Sequence, residues 1–322
     1  MTVTAAASTL LTDAAPAGGA PVAGSAEAPV EATETPRPGR ASSLSPSRAS
    51  DFMSCPLRYR FRVIDRLPEP PSPAATRGTL VHAVLERLFD LPPAERTVEA
   101  AVELVGPAWD LLLEQEPERA ALFDDAAGLQ AWLGSARGLL DAYFALEDPQ
   151  RLAPAARELL VEHELASGLH LRGIVDRLDE SPSGLLRVVD YKTGSAPSVD
   201  FEARALFQLK FYALVLWRTR GVVPAELVLL YLGGSAQRLR YQPDADELAR
   251  FERTLEALWA AIQRAQETGD WRPRQSKLCD WCDHQALCPA FGGTPPPLPI
   301  TIGGQGPDEG LPTVPGAEPS AA

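Results

Sequence analysis

Residues 157–194 read RELLVEHELASGLHLRGIVDRLDESPSGLLRVVDYKTG, and this stretch decides the fold. Three β-type runs, 158–166, 169–179 and 185–191, are separated by Gly168 and by Ser181-Pro182-Ser183-Gly184. Short runs bounded by such turn residues predict a three-stranded meander. Upstream the apolar positions recur at helical spacing instead. Ser45-Pro46-Ser47 supplies a capping residue and a proline for a first helical turn, with Phe52, Cys55 and Tyr59 following at helical intervals. After a proline-rich break at 68–73, Leu80, Val84, Leu85 and Leu88 mark one face of a helix over 76–89. Residues 98–114 and 128–147 predict two more helices, read as an insertion. Downstream come a helix at 201–219, a strand at 226–232 and a long helix at 246–267. That order of helices, three strands, helix and strand predicts an α/β core, a mixed sheet flanked by helices.

The chain has 322 residues, but its ends offer little to bury. Residues 1–43 are mostly Ala, Pro, Gly, Ser, Thr and Glu, so nothing offsets the entropy of ordering them, and a disordered tail is expected. Pro295-Pro296-Pro297 and scattered glycines predict the same for 293–322, leaving 44–292 as the domain. The sequence shows no secretory pattern and no run near the roughly 20 apolar residues of a membrane span, so a cytoplasmic protein with no membrane partner is expected. A net charge of −13 argues against a protein that coats nucleic acid nonspecifically. One stretch runs the other way. Residues 44–66 hold Arg48, Arg58, Arg60, Arg62 and Arg66 against Asp51 and Asp65, interleaved with Phe52, Tyr59 and Phe61. It reads either as a phosphate- and base-contacting surface or as a solvated helix face over core aromatics.

Candidate chemistry gathers at the ends of the second and third strands. Asp190 and Lys192 flank Tyr191 and so share one face of the sheet, with Asp176 near the end of the neighbouring strand. Carboxylates brought together this way repel unless a cation lies between them, and a hard ion such as Mg²⁺ suits oxygen ligands. His82 could complete the shell from the helix over 76–89, where Glu86 stands four residues on, and Glu162 could contribute from the first strand. Lys192 is one of only three lysines in the chain, beside Lys210 and Lys277. Next to a metal it could orient water or neutralise charge on a phosphate oxygen.

The four cysteines form a second constellation: Cys55, then Cys279, Cys282 and Cys288 in a C-x2-C-x5-C cluster. A soft thiolate quartet suits a 4Fe–4S cluster, the preferred occupant, or a structural zinc. Joining Cys55 to Cys279 would close a loop of more than 220 residues and clamp the ends of the domain together.

These motifs, in this order, resemble the PD-(D/E)xK nucleases of the RecB-like branch: Gly173-Ile174-Val175-Asp176-Arg177, Asp190-Tyr191-Lys192-Thr193-Gly194, Gln208-x3-Tyr212 and, upstream, Arg77 to His82 through Glu86. The cysteine pattern is similar to the iron–sulfur nuclease domains of AddB and of CRISPR-associated exonucleases. The resemblance implies a restriction-endonuclease-like fold with an iron–sulfur clamp, and a Mg²⁺- or Mn²⁺-dependent DNA exonuclease of repair or recombination acting on ends or single strands. It implies that Asp176, Asp190 and His82 bind metal, that Lys192 is catalytic, and that Gln208 and Tyr212 line the DNA path. Arg177 could reach a phosphate or pair with Asp179, and Arg58 belongs to the basic stretch that could contact DNA. No G-x4-G-K-[ST] loop is present, so any unwinding would need a helicase partner in trans. The rival reading is a non-catalytic DNA-binding or scaffold module of the same fold.

Overall fold

The computed structural model describes residues 43–196 and 199–298. The tail expected over 1–43 lies outside them apart from Ser43, and so does the C-terminal one beyond 298. Residues 293–298 are described, and Arg60 donates to the Pro296 carbonyl, so the chain packed against the domain runs past the expected boundary at 292.

The meander forms as β1 (Ala156–Glu164), β2 (His170–Glu180) and β3 (Leu186–Ser195), and the later strand as β4 (Glu226–Gly233). A fifth strand, β5 (Gln237–Tyr241), was not expected. Its sequence QRLRY is polar enough to read as a loop, and it forms because β4 offers it an edge to pair with. The arginines of β5 suit an exposed edge strand that must not recruit another chain. Sheet order is β1-β2-β3-β4-β5, antiparallel throughout except for the parallel β3–β4 pair. The helix α7 (Val199–Arg220) makes the crossover that a parallel pair requires.

Ahead of the sheet lie α1 (Pro46–Ser54), α2 (Pro56–Tyr59), α3 (Pro73–Leu88), α4 (Val98–Glu103), α5 (Val105–Gln115) and α6 (Ala126–Leu146), and after it α8 (Ala245–Thr268). Ser45 caps α1 by accepting from the Arg48 N–H at 3.2 Å. The single helix expected over 98–114 is broken at Leu104 into α4 and α5. Pro107 has no N–H to give the Glu103 carbonyl, so one continuous helix would lose that bond.

Both sheet faces are covered. Leu227, Leu229 and Tyr231 pack in one core with α1, α7 and α8, while Val228, Leu230 and Leu232 pack in another with α3, α5 and α6. This is why β4 is an unbroken apolar run rather than an alternating one. Phe52, Tyr59 and Phe61 are buried in the first core, and Arg58 and Arg62 pair with Asp51, Arg60 with Asp65. The basic stretch of 44–66 is thus largely neutralised internally, and its aromatics are core. No helix among the described residues is long and apolar enough to cross a membrane.

Candidate active site

The β2–β3 ladder ends at the Arg177–Val189 pair, and the next position along would set Asp176 across from Asp190. The β1–β2 ladder pairs Arg157 with Arg177 and Leu159 with Val175, skipping the position between, where Glu158 faces Asp176. Three carboxylates therefore form a row across three strands where strand pairing lapses. Past the last β2–β3 pair, Asp176 Oδ2 accepts from the Tyr191 N–H at 2.7 Å.

His82 on α3 closes the row from one side. Its Nδ1 lies 3.5 Å from Asp176 Oδ2 and its Nε2 lies 3.0 Å from the Tyr191 carbonyl oxygen. Among the described residues, His82, Glu158 and Asp176 are the one group of three or more His, Cys, Asp or Glu side chains whose ligand atoms all come within 4.8 Å of one another. Asp190 is 1% exposed, its Oδ2 2.6 Å from Lys192 Nζ and its Oδ1 without a hydrogen-bond partner among the described residues. Lys192 also donates to Gln208 Oε1 at 2.8 Å, and Gln208 Nε2 to the Tyr212 hydroxyl at 2.8 Å. The Tyr212 ring lies so close to Gly173 that a Cβ there would stand 2.7 Å from it, so glycine is the residue that lets the relay seat against β2.

The electrostatics follow from crowding. Burial pushes Asp190 up, and the Asp176 charge adds to it, to about 6. Burial, then Asp176, raises Glu158 to about 7. Burial works against a charged His82, but the carboxylates, Asp176 above all, lift it to about 9. Asp176 itself is held low, because His82 and the Tyr191 N–H outweigh its burial. Three crowded carboxylates, two of them raised by burial and mutual repulsion, beside a single imidazole and with an orphaned buried oxygen on Asp190, are a donor set that a hard divalent cation fits. A cleft of about 690 Å³ opens above, lined by His82, Glu86, Arg87, Glu158 and Lys192 and walled by Leu111 of α5.

A family model for the PD-(D/E)XK nuclease superfamily matches residues 43–289. The chain belongs to this superfamily. Its curated relatives include the Gene 69 proteins of Mycobacterium phages D29 and L5, 25% and 27% identical, each match covering 77% of this chain and 96% of the phage protein. A crystal structure of a candidate exonuclease from Eubacterium rectale shares the fold, with a TM-score of 0.51 and 14% identity over 75% of this chain and 87% of that one.

On this nuclease-superfamily fold the expected site residues separate into two sets. His82, Asp176, Asp190, Lys192, Gln208 and Tyr212 are brought together. Glu162 is not: it pairs with Arg172 at 3.3 Å, and Glu158, four residues earlier on the same strand, stands at the row instead. Of the two readings of Arg177, a phosphate contact or a pair with Asp179, the structure shows the pair. Arg177 is fully buried, paired with Glu147 at 2.8 Å and Asp179 at 3.1 Å and donating to the Tyr191 hydroxyl at 2.9 Å, so it holds the protein together rather than reaching a phosphate. Arg58 pairs with Asp51 and borders a different recess, the one where the four cysteines meet.

That recess lies between the end of α1 and the turns at 277–291, with Cys55, Cys279, Cys282 and Cys288 all in its wall. The backbone N–H of Arg274 points to Cys55 Sγ at 3.3 Å and that of Ser276 to Cys279 Sγ at 3.4 Å. His284, between the last two cysteines, is turned away: it is buried, with Nε2 3.0 Å from Glu69 Oε1.

Proposed function

We propose that this protein is a metal-dependent deoxyribonuclease of the RecB-like branch, a cytoplasmic exonuclease acting on DNA ends or single strands in repair or recombination. The observation that carries the reading is the placement of Asp176, Asp190 and Lys192 at the lapse between β2 and β3, with His82 closing over them. His82, Asp176 and Asp190 would hold Mg²⁺ or Mn²⁺, and the Tyr191 carbonyl is a further oxygen beside them. Such an ion lowers the pKa of a bound water and stabilises charge on the phosphoryl oxygens. Lys192 has three protons to donate; Asp190 and Gln208 take two, which leaves one for the attacking water or a phosphate oxygen. Gln208 and Tyr212 border a groove with Ser45, the cap of α1, and Ser47 and Ser50 within it, a path for the strand leading away from the scissile bond. Unwinding, where the substrate is duplex, falls to a helicase in trans.

The test is digestion of end-labelled single- and double-stranded DNA with Mg²⁺, with Mn²⁺ and with chelator. Stepwise shortening from one end under metal alone is the expected result. DNA binding without cleavage in either metal would instead make the chain a scaffold of the same fold.

The reading extends to a 4Fe–4S cluster held by Cys55, Cys279, Cys282 and Cys288. Supporting it are their convergence on one recess and the N–H groups aimed at two of the sulfurs, a common means of stabilising cluster thiolates. A single zinc is the lesser fit: bonds of about 2.3 Å would draw four thiolates to roughly 3.8 Å from one another. No three of these sulfurs close to within 4.8 Å. If all four are ligands, Cys55→Ala loses iron and sulfide together with Cys282→Ala, and both become protease-sensitive. Full iron content in anaerobically purified Cys55→Ala would remove Cys55 from the set.

A further inference from the structure

Glu158 belongs to no motif that the sequence offers, yet three observations converge on it. It stands at the position opposite Asp176 where the β1–β2 ladder is interrupted, while pairing is regular on both sides. Its backbone has φ +42°, in the left-handed region, although it is neither glycine nor in a turn. That conformation costs a non-glycine residue free energy and persists only where the surroundings impose it. Its carboxylate comes within 4.8 Å of both a His82 nitrogen and an Asp176 oxygen, and among the described residues the lysine and arginine salt bridges go to its neighbours Asp190 and Glu162 instead. Glu162, four residues on in the same strand, has its partner in Arg172. Three carboxylates, Glu158, Asp176 and Asp190, thus share only the His82 imidazole and the Lys192 ammonium among the described residues, and the buried Asp190 Oδ1 is unpartnered, a surplus of negative charge that a divalent cation would balance.

We infer that Glu158 is a ligand of the divalent cation, the third carboxylate of its shell, supplied by β1 through a local break in that strand. This rests on the nuclease reading above and adds a residue to it. The inference explains the backbone: a regular β1 would continue the ladder past Asp176, whereas the left-handed residue interrupts it where the carboxylate is needed. It also separates the roles of the carboxylates. Asp190, ion-paired with Lys192, links the metal to the ammonium, while Glu158 faces the cleft and completes the shell from the opposite strand.

The experiment is Mn²⁺ titration of the full chain by calorimetry, with the rise in melting temperature as a second readout. Glu158→Gln and Glu158→Gly are each expected to weaken Mn²⁺ binding at least tenfold, whereas Glu162→Gln leaves it unchanged. Glu158→Gly should melt in chelator no lower than the wild type, because glycine adopts φ +42° without penalty and the crowded charge is gone. That combination of intact fold and weakened metal binding is one that a packing role would not give. An unchanged Mn²⁺ midpoint in Glu158→Gln overturns the inference and leaves the nuclease reading standing. A wild-type protein that takes up no Mn²⁺ overturns both.

Discussion

Lys192→Ala and Asp190→Ala should each lower metal-dependent DNA cleavage by about a thousandfold or more, the scale on which single groups acting only in the transition state count. The reason is geometric. Lys192 Nζ is fixed between Asp190 and Gln208, so losing it removes the one ammonium among the described residues at the carboxylate row. Losing Asp190 would remove a proposed metal ligand and the anchor of that ammonium together. Neither change should unfold the protein. Asp190 is a carboxylate raised above its ordinary value by burial and by Asp176, so in the metal-free fold its charge is a cost. With the folded value raised to about 6, its contribution to stability is present below the unfolded value near 4 and lost as pH rises through 6. At pH 8 in chelator, Asp190→Ala should therefore melt no lower than the wild type. Initial rates on an end-labelled strand and melting curves in chelator decide the matter together. Cleavage within tenfold of wild type in either variant would sink the assignment, and a large fall in melting temperature would recast Asp190 as structural.

The second large effect is on stability. Arg177→Met should cost about 3–5 kcal/mol, the range for removing one partner of a buried ion pair. Arg177 is fully buried between Glu147, 5% exposed at its side chain, and Asp179, and it supports the Tyr191 hydroxyl. Without the guanidinium, Glu147 keeps among the described residues only the ion pair with Arg238 at 3.8 Å, and Asp179 keeps Arg187 at 2.7 Å. Glu147 follows α6 directly, so the same loss loosens the helical insertion from the sheet. Urea denaturation with unchanged slope and a lower midpoint is the expected record. A midpoint close to wild type with cleavage abolished would return Arg177 to the substrate.

Much of this was legible beforehand because it depends on period. Alternation placed Asp190 and Lys192 on one face, helical spacing put Gln208 beside Tyr212, and turn residues bounded the three strands of the meander. What period cannot convey is which position along a strand loses its partner. Glu158 and Glu162 are equivalent by alternation, and only the register of β1 against β2 sets Glu158 across from Asp176 and Glu162 across from Arg172. Arg177 likewise reads as a cation beside a metal ligand until the end of α6 is found packed over it.

The sequence by itself determined the α/β class, the order of the elements, the residue types of the candidate site and the four thiols, since these follow from local spacing and side-chain chemistry. Only the tertiary structure decided which carboxylates stand in the row, that Arg177 is an internal ion pair, that the chain of β5 has an edge to join, and that Cys55 meets the C-terminal cysteines in one recess. Each of these joins residues distant along the chain, and contacts of that kind are set by register and packing, which no local pattern encodes.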